Sequence, residues 1–237
     1  MNEIIATTTV QFLSHIKDHG ETMMFRGQGN EEWPLTPSIA RYSSNVQGPP
    51  SIWALEELLL SNFRQFGMPF ADFRKLSKIE QLIHAQHYGL PTRLLDWSSN
   101  PLKALFFAVE DCALDQKNAA VFITKHHLFN NGTGAVSTSD STEHLAFSPE
   151  IFHERITAQD ACFLSFPLSK ESMEVPALSA ENLPKNMAFL EKILIPAQYK
   201  KELRKQLAIL GITHKTIYPG LEGTTRWIRS KVSNYSV

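Results

Sequence analysis

The chain has 237 residues, 43% of them hydrophobic, and its 23 Lys and Arg against 24 Asp and Glu leave a net charge of -1. That length buries a sizeable core as one elaborated domain, and the even charge balance gives no global field for a polyanion, which argues against a dedicated nucleic-acid-binding role. Two cysteines, Cys112 and Cys162, are too few for a disulfide framework; no apolar run reaches the roughly 18 residues of a membrane span, and no signal-peptide pattern opens the chain, so a cytoplasmic location is expected.

In chain order, Val10, Leu13 and Ile16 predict a helix over residues 9–19, stopped by Gly20. A brief strand over 22–25 delivers Phe25-Arg26-Gly27-Gln28, and the prolines of Trp33-Pro34-Leu35-Thr36-Pro37 make the next stretch irregular. From Ile52, the spacing of Leu55, Leu58, Leu59, Phe63 and Phe66 describes one helix face. Ser77 and Glu80 form a capping-box pattern, Ile79, Leu82 and Ile83 supply the apolar face, and Gly89 with Pro91 supplies the stop. A strand over 92–96 follows. Asn100-Pro101 then reads as an N-cap with proline at the first helical position, ahead of Leu102, Leu105, Phe106 and Val109.

Residues 119–124 read as a central strand, and 126–150, rich in Gly, Ser and Thr, as a long surface excursion. Two short apolar patches within 155–165, with Gln159 between them, suggest two strands joined by a turn. Residues 168–186 look irregular, 189–195 read as a strand, 198–210 as a helix stopped by Gly211, and 212–218 as a last strand. The segment 228–237 is a polar tail. There is no internal repeat, and the whole chain is expected to form a single domain.

Chemistry concentrates in residues 85–101, where Arg93, Asp96, Trp97 and Ser98 surround the apolar pair Leu94-Leu95. Charged residues bracketing a buried strand need partners, so Arg93 and Asp96 are expected to pair with each other. Trp97 is either core or a stacking platform, and Ser98 either a turn residue or a site hydroxyl. His84 and His87 stand three apart on one helix, but no further residue has ligand spacing, so no metal is expected. His87 is the better candidate for a hydrogen bond in a site. A Ser98-His87-Asp96 triad is disfavoured because no Gly-x-Ser-x-Gly elbow accompanies it, and no glycine pattern supports a Rossmann or P-loop reading. The run Lys200, Lys201, Arg204 and Lys205 reads as the solvated face of a helix.

Phe25-Arg26-Gly27-Gln28, the Trp33 to Ser38 stretch with Arg41, and the His87 to Pro101 block together resemble the FRG domain family. The resemblance extends to Arg155-Ile156-Thr157-Ala158-Gln159 with Phe163, to Ile195-Pro196 and Gly211-Ile212, and to Tyr218-Pro219-Gly220-Leu221-Glu222-Gly223, so that it spans residues 10–225. At Ala161, two residues after Gln159, the family tends to have glycine, so a left-handed backbone is not expected there.

The order of these elements is in turn similar to the ADP-ribosyltransferase fold, which implies an α+β protein with a mixed central β-sheet flanked by helices. On that analogy Arg26, Ser98 and Gln159 are the counterparts of an arginine, a serine and a glutamate motif. Arg26 would hold a phosphate or ribose edge, Ser98 would brace the pocket and the third residue, and Gln159 would hold a ribose but could not act as a base. Glu154, five residues before Gln159 on a strand, would face the opposite side. Phe25, Gln28, His87, Tyr88, Thr92, Arg93, Asp96 and Trp97 complete the expected ligand-binding set. Two readings stay open. One is an enzyme that takes NAD as substrate, without a resident cofactor, for ADP-ribosyl transfer or hydrolysis. The other is a non-catalytic module of a phage, mobile-element or defence system that binds a small nucleotide or a protein partner; neither membrane nor nucleic acid is an expected partner.

Overall fold

The β-branched and aromatic runs of the chain meet in one sheet, seen in a computed structural model that describes residues 4–20, 22–42, 48–125, 144–150, 154–184 and 187–232. Its strands are β1 (Ile4–Ile5), β2 (Met23–Gln28), β3 (Leu94–Ser98), β4 (Ala119–Lys125), β5 (Leu145–Phe147), β6 (Ala161–Ser165) and β7 (Glu191–Ile195). They lie side by side in the order β1-β7-β4-β2-β3-β6-β5. Among the described residues only the β1–β7 pair is parallel, so the sheet is mixed. The helices are α1 (Thr9–Ile16), α2 (Ile52–Gly67), α3 (Lys78–His87), α4 (Pro101–Val109), α5 (Glu154–Gln159), α6 (Lys200–Ile209), α7 (His214–Ile217) and α8 (Gly220–Val232).

The local signals act as their chemistry requires. Ser77 and Glu80 close a reciprocal capping box at the start of α3, and Gly89, at φ +88°, ends it in the left-handed region. Asn100 Oδ1 accepts from the backbone N–H groups of Leu102 and Lys103 at 3.0 and 3.3 Å, with Pro101 opening α4.

Side chains alternate across the sheet. Met23 and Phe25 of β2 join Val121 and Ile123 of β4, Ala104 and Leu105 of α4, and Leu203 and Leu207 of α6 in one apolar cluster. On the same face, Leu94 and Phe163 meet Ile79, Leu82 and Ile83 of α3. On the other face Met24, Leu95, Trp97, Cys162 and Leu164 are covered by Leu35, Leu178 and Met187, which belong to no helix or strand of the sheet. Gly27 explains how closely α4 lies on β2: a Cβ there would come within 1.9 Å of the Ala104 carbonyl oxygen. The glycine of the Phe-Arg-Gly triplet is a packing requirement.

Several elements differ from the sequence expectation. The strand expected over 22–25 runs to Gln28 and that over 92–96 lies at 94–98, which puts Arg26 and Ser98 inside the ladder. Residues 154–159 form a helix, because Glu-Arg-Ile-Thr-Ala-Gln contains good helix formers with a single buried apolar residue, Ile156. The left-handed residue after it is Asp160, φ 45°, and Ala161 begins β6. The last strand expected over 212–218 is the short helix α7, capped by Thr213 and Thr216. Residues 228–232, expected in a polar tail, belong to α8, where Arg226 and Glu222 pair at 2.8 Å one turn apart. Within the expected excursion 126–150, residues 145–147 form the edge strand β5, while 126–143 lie outside the described residues. Among the described residues no helix is long and apolar enough to cross a membrane.

Candidate functional site

The central strand β2 is held very differently on its two sides. It stays in register with β4 over six residue pairs, from Met23↔Lys125 to Gln28↔Ala120, but meets β3 at the single pair Phe25↔Ser98. Beyond that pair the two strands diverge. Arg26 spans the gap, its Nη1 donating to the Asp96 carbonyl oxygen at 2.5 Å where a ladder bond would otherwise run. A cavity of about 680 Å³ opens along this divergence. Its walls come from β2, β3, β6, the facing sides of α3 and α5, the end of α4, and the Trp33 to Arg41 stretch.

Arg26, Ser98 and Gln159 all line this cavity, as do Phe25, Gln28, His87, Asp96 and Trp97. Burial lowers the pKa of the Arg26 guanidinium; the Asp96 carboxylate opposes the shift and the positive charge of Arg41 adds to it. Arginine keeps its proton under such pressure. Ser98 is buried: its Oγ donates to the Gln159 carbonyl at 2.7 Å and accepts from the Asn100 N–H at 3.0 Å. The hydroxyl therefore joins the end of β3 to the end of α5, and it points to Gln159, not to His87. Gln159 closes α5, not a strand, and its Nε2 donates to the Ile217 carbonyl at 3.4 Å.

Tyr88, Thr92 and Arg93 lie outside the cavity. Tyr88 caps α3 and is 69% exposed. Thr92 is fully buried, and its hydroxyl donates to Gln86 Oε1 and accepts from the Leu94 N–H. The expected Arg93–Asp96 couple does not form. Arg93 pairs instead with Glu56 of α2, whose carboxylate accepts from its Nε at 2.7 Å and its backbone N–H at 2.9 Å and lies 2.5 Å from its Nη2 as an ion pair, with both residues buried. Asp96 projects the other way, where Oδ1 accepts from Gln86 Nε2 at 2.6 Å. Alternation explains the separation, since residues 93 and 96 of an extended chain point to opposite faces. Trp97 is 3% exposed and packs with Met24, Leu95 and Cys162, so it is a wall of the cavity within the core, not a surface platform.

The basic run near residue 200 is only partly a solvated face. Lys200 is fully buried, with Nζ donating to the carbonyls of Gly29, Leu114 and Lys117, and Arg204 forms a two-pronged pair with Asp115. Lys201 and Lys205 are exposed.

Three charged cavity residues stand outside the expected site set: Arg41 and Arg155, which entered only as motif residues, and Glu110, which carried no sequence signal. Glu110 follows α4 directly. Its two carboxylate oxygens lie 2.8 and 3.0 Å from the Tyr218 hydroxyl, and Arg155 and Arg226 lie over the Tyr218 ring at 5.2 and 4.2 Å. Burial raises the Glu110 pKa, against the hydrogen bond from Tyr218. Burial, and then the Glu110 charge, push the Tyr218 phenol up as well. The signal that could have found Glu110 is a carboxylate one residue past a strongly apolar helix. Among the described residues, no group of three or more His, Cys, Asp or Glu is placed to hold a metal ion.

A family model for the FRG domain matches residues 21–117, which contain β2, β3, Arg26, Arg41, Ser98 and Glu110; Arg155 and Gln159 fall beyond it. No curated protein matches the chain, and no solved structure matches it. The match names neither ligand nor reaction. The chain contains an FRG domain, in residues 21–117, and that domain supplies the strand pair whose divergence opens the cavity.

Proposed function

We propose that the cavity binds NAD or a related nucleotide and that the protein transfers or hydrolyses its ADP-ribose, acting in the cytoplasm. The observation that carries this reading is the split between β2 and β3, bridged by Arg26 and opening into a space within the roughly 300–1,000 Å³ of small-molecule sites. An arginine held by one backbone carbonyl keeps its remaining N–H groups for phosphate oxygens. Gln159 would hydrogen-bond a ribose hydroxyl, and Trp97 would pack a ring. The nicotinamide–ribose bond would break with its electron pair leaving on nicotinamide. Water or an acceptor hydroxyl would then attack the ribose carbon and pass its proton to the Glu110 carboxylate. Glu110 is a carboxylate on the cavity wall that Gln159 cannot replace as a base.

The first experiment is thermal unfolding of the protein with NAD, ADP-ribose and a nucleotide panel, repeated on Arg26→Ala. A ligand at 100 times its dissociation constant adds about 2.7 kcal/mol, a shift of several degrees. Stabilisation of the native protein and not of the variant is expected, followed by release of nicotinamide. No stabilisation by NAD or ADP-ribose at millimolar concentration would remove this reading.

A second reading has its own support. The Ser98 hydroxyl and the Gln159 amide are both engaged with backbone carbonyls, an arrangement that suits a binding module recognising a nucleotide or protein tail without turnover, as in a phage, mobile-element or defence system. Ligand-dependent stabilisation with no nicotinamide release over hours supports it, and turnover abolished by Arg26→Ala in a folded protein refutes it.

A further inference from the structure

Arg41 stands on the short 3₁₀ turn Ser38–Tyr42, and that turn is firmly placed. Ile39 is fully buried beside Ile52 and Leu55, its N–H donates to the Thr92 carbonyl at 3.2 Å, and Ser38 Oγ accepts from the Thr92 N–H at 3.1 Å. The turn is thus tied to the residues that lead into β3, and through them to the side of the cavity where Arg26 crosses the split. Arg41 itself is exposed, lines the cavity, and has no hydrogen bond or ion pair with the described residues. It lies close enough to Arg26 for the two positive charges to repel.

Asp96, the acid that acts on Arg26, does not neutralise them both. Asp96 offers Arg26 its backbone carbonyl, while its carboxylate accepts from Gln86. On the same walls, Arg26 Nε and Trp97 Nε1 are buried donors with no hydrogen-bond partner among the described residues, and Trp97 is 97% buried, its exposure being 3%. A folded protein bears the cost of two like charges on one cavity and of unpartnered donors when something occupying the space recovers it.

We infer that Arg41 and Arg26 together form an anion site that takes a phosphate or diphosphate group of the ligand, held between the two guanidinium groups at this end of the cavity. The site names the part of the proposed nucleotide that these residues contact. It rests on the nucleotide reading only for the identity of the rest of the ligand. Planar forks suit phosphate oxygens, and two of them match a group carrying two or more negative charges. Glu110 and Arg155 line the same cavity and belong, with Tyr218 and Arg226 behind them, to a separate charged group, so the anionic end of the ligand is directed away from the carboxylate.

The probes are inorganic pyrophosphate and inorganic phosphate, titrated by calorimetry and thermal unfolding at constant ionic strength, with sodium chloride as the control. The proteins are the native chain, Arg41→Gln and Arg41→Lys. Arg41 is exposed, and circular dichroism checks that each variant is folded. Native protein is expected to bind pyrophosphate. Arg41→Gln should weaken it by about tenfold or more, and Arg41→Lys should keep part of the affinity with a shallower loss. Equal pyrophosphate affinity in native protein and Arg41→Gln, or an effect no larger than that of chloride, overturns the anion site. Pyrophosphate binding that depends on Arg41 while NAD and ADP-ribose fail to bind leaves the site standing and overturns the nucleotide reading, so the two failures are distinct.

Discussion

Glu110 is a residue whose environment changes its chemistry. Its carboxyl is drawn out of water at the end of α4, and burial favours the proton more than the Tyr218 hydrogen bond favours the charge. A carboxylic acid whose folded pKa is raised stabilises the fold fully below its ordinary value of 4.5, and that contribution is lost as pH climbs from there through the raised value. His214, 3.8 Å from the same carboxylate, is pushed toward its neutral form by burial and by Arg226, so it adds little compensating charge near neutrality. Glu110→Gln keeps an acceptor for Tyr218 and removes the titration. Its melting temperature should therefore be flatter with pH and, near neutrality, equal to or above that of the native protein. A variant that melts lower at neutral pH and higher in acid would contradict this account.

At the scale of elements, α2 positions β3 through one buried contact. Glu56 accepts two hydrogen bonds from Arg93 and forms an ion pair with its Nη2, immediately before the strand that carries Asp96, Trp97 and Ser98. Removing one partner of a buried pair leaves an uncompensated charge, at a cost of about 3–5 kcal/mol, whereas replacing both with apolar residues of similar volume is far milder. Denaturant unfolding of Glu56→Ala should show that loss, and Glu56→Leu with Arg93→Met should recover most of it; additive losses in the double variant would mean the pair is not the unit. The other junction, between β3 and α5, uses Ser98 together with Asp160, whose carboxylate meets Lys103 at 2.6 Å and Asn100 at 3.1 Å. Asp160 does in the left-handed region what glycine does most cheaply, and its side chain repays the conformation with two partners.

Across the whole molecule, Lys200 connects parts of the chain that are distant in sequence. From the start of α6 its ammonium reaches the carbonyls of Gly29, just past β2, and of Leu114 and Lys117, in the connection before β4. Lys200→Met would fill a similar volume but leave three carbonyls without their donor, at about 1–3 kcal/mol for each that stays dry. Its melting temperature should fall by several degrees at all pH values between 5 and 8. An unchanged midpoint would mean that water replaces the ammonium. Much of this architecture was legible beforehand. The capping box at Ser77, the stop at Gly89, the Asn100-Pro101 start and the apolar faces of α2 and α4 are local, within one or two turns, and the sequence by itself determined them. The motif residues Phe25, Arg26 and Ser98 could likewise be singled out, although their strand boundaries could not. Residues 154–159 and 212–218 were misread because short apolar patches suit helix and strand equally, and the choice falls to the packing around Ile156 and Ile217. Pairing across the fold was decided by tertiary structure alone: Arg93 with Glu56 and not Asp96, Lys200 buried and not solvated, and Arg41 and Glu110 on one cavity wall system. Such pairings depend on which surfaces the sheet order brings together, and hydrophobic periodicity carries no information about that order.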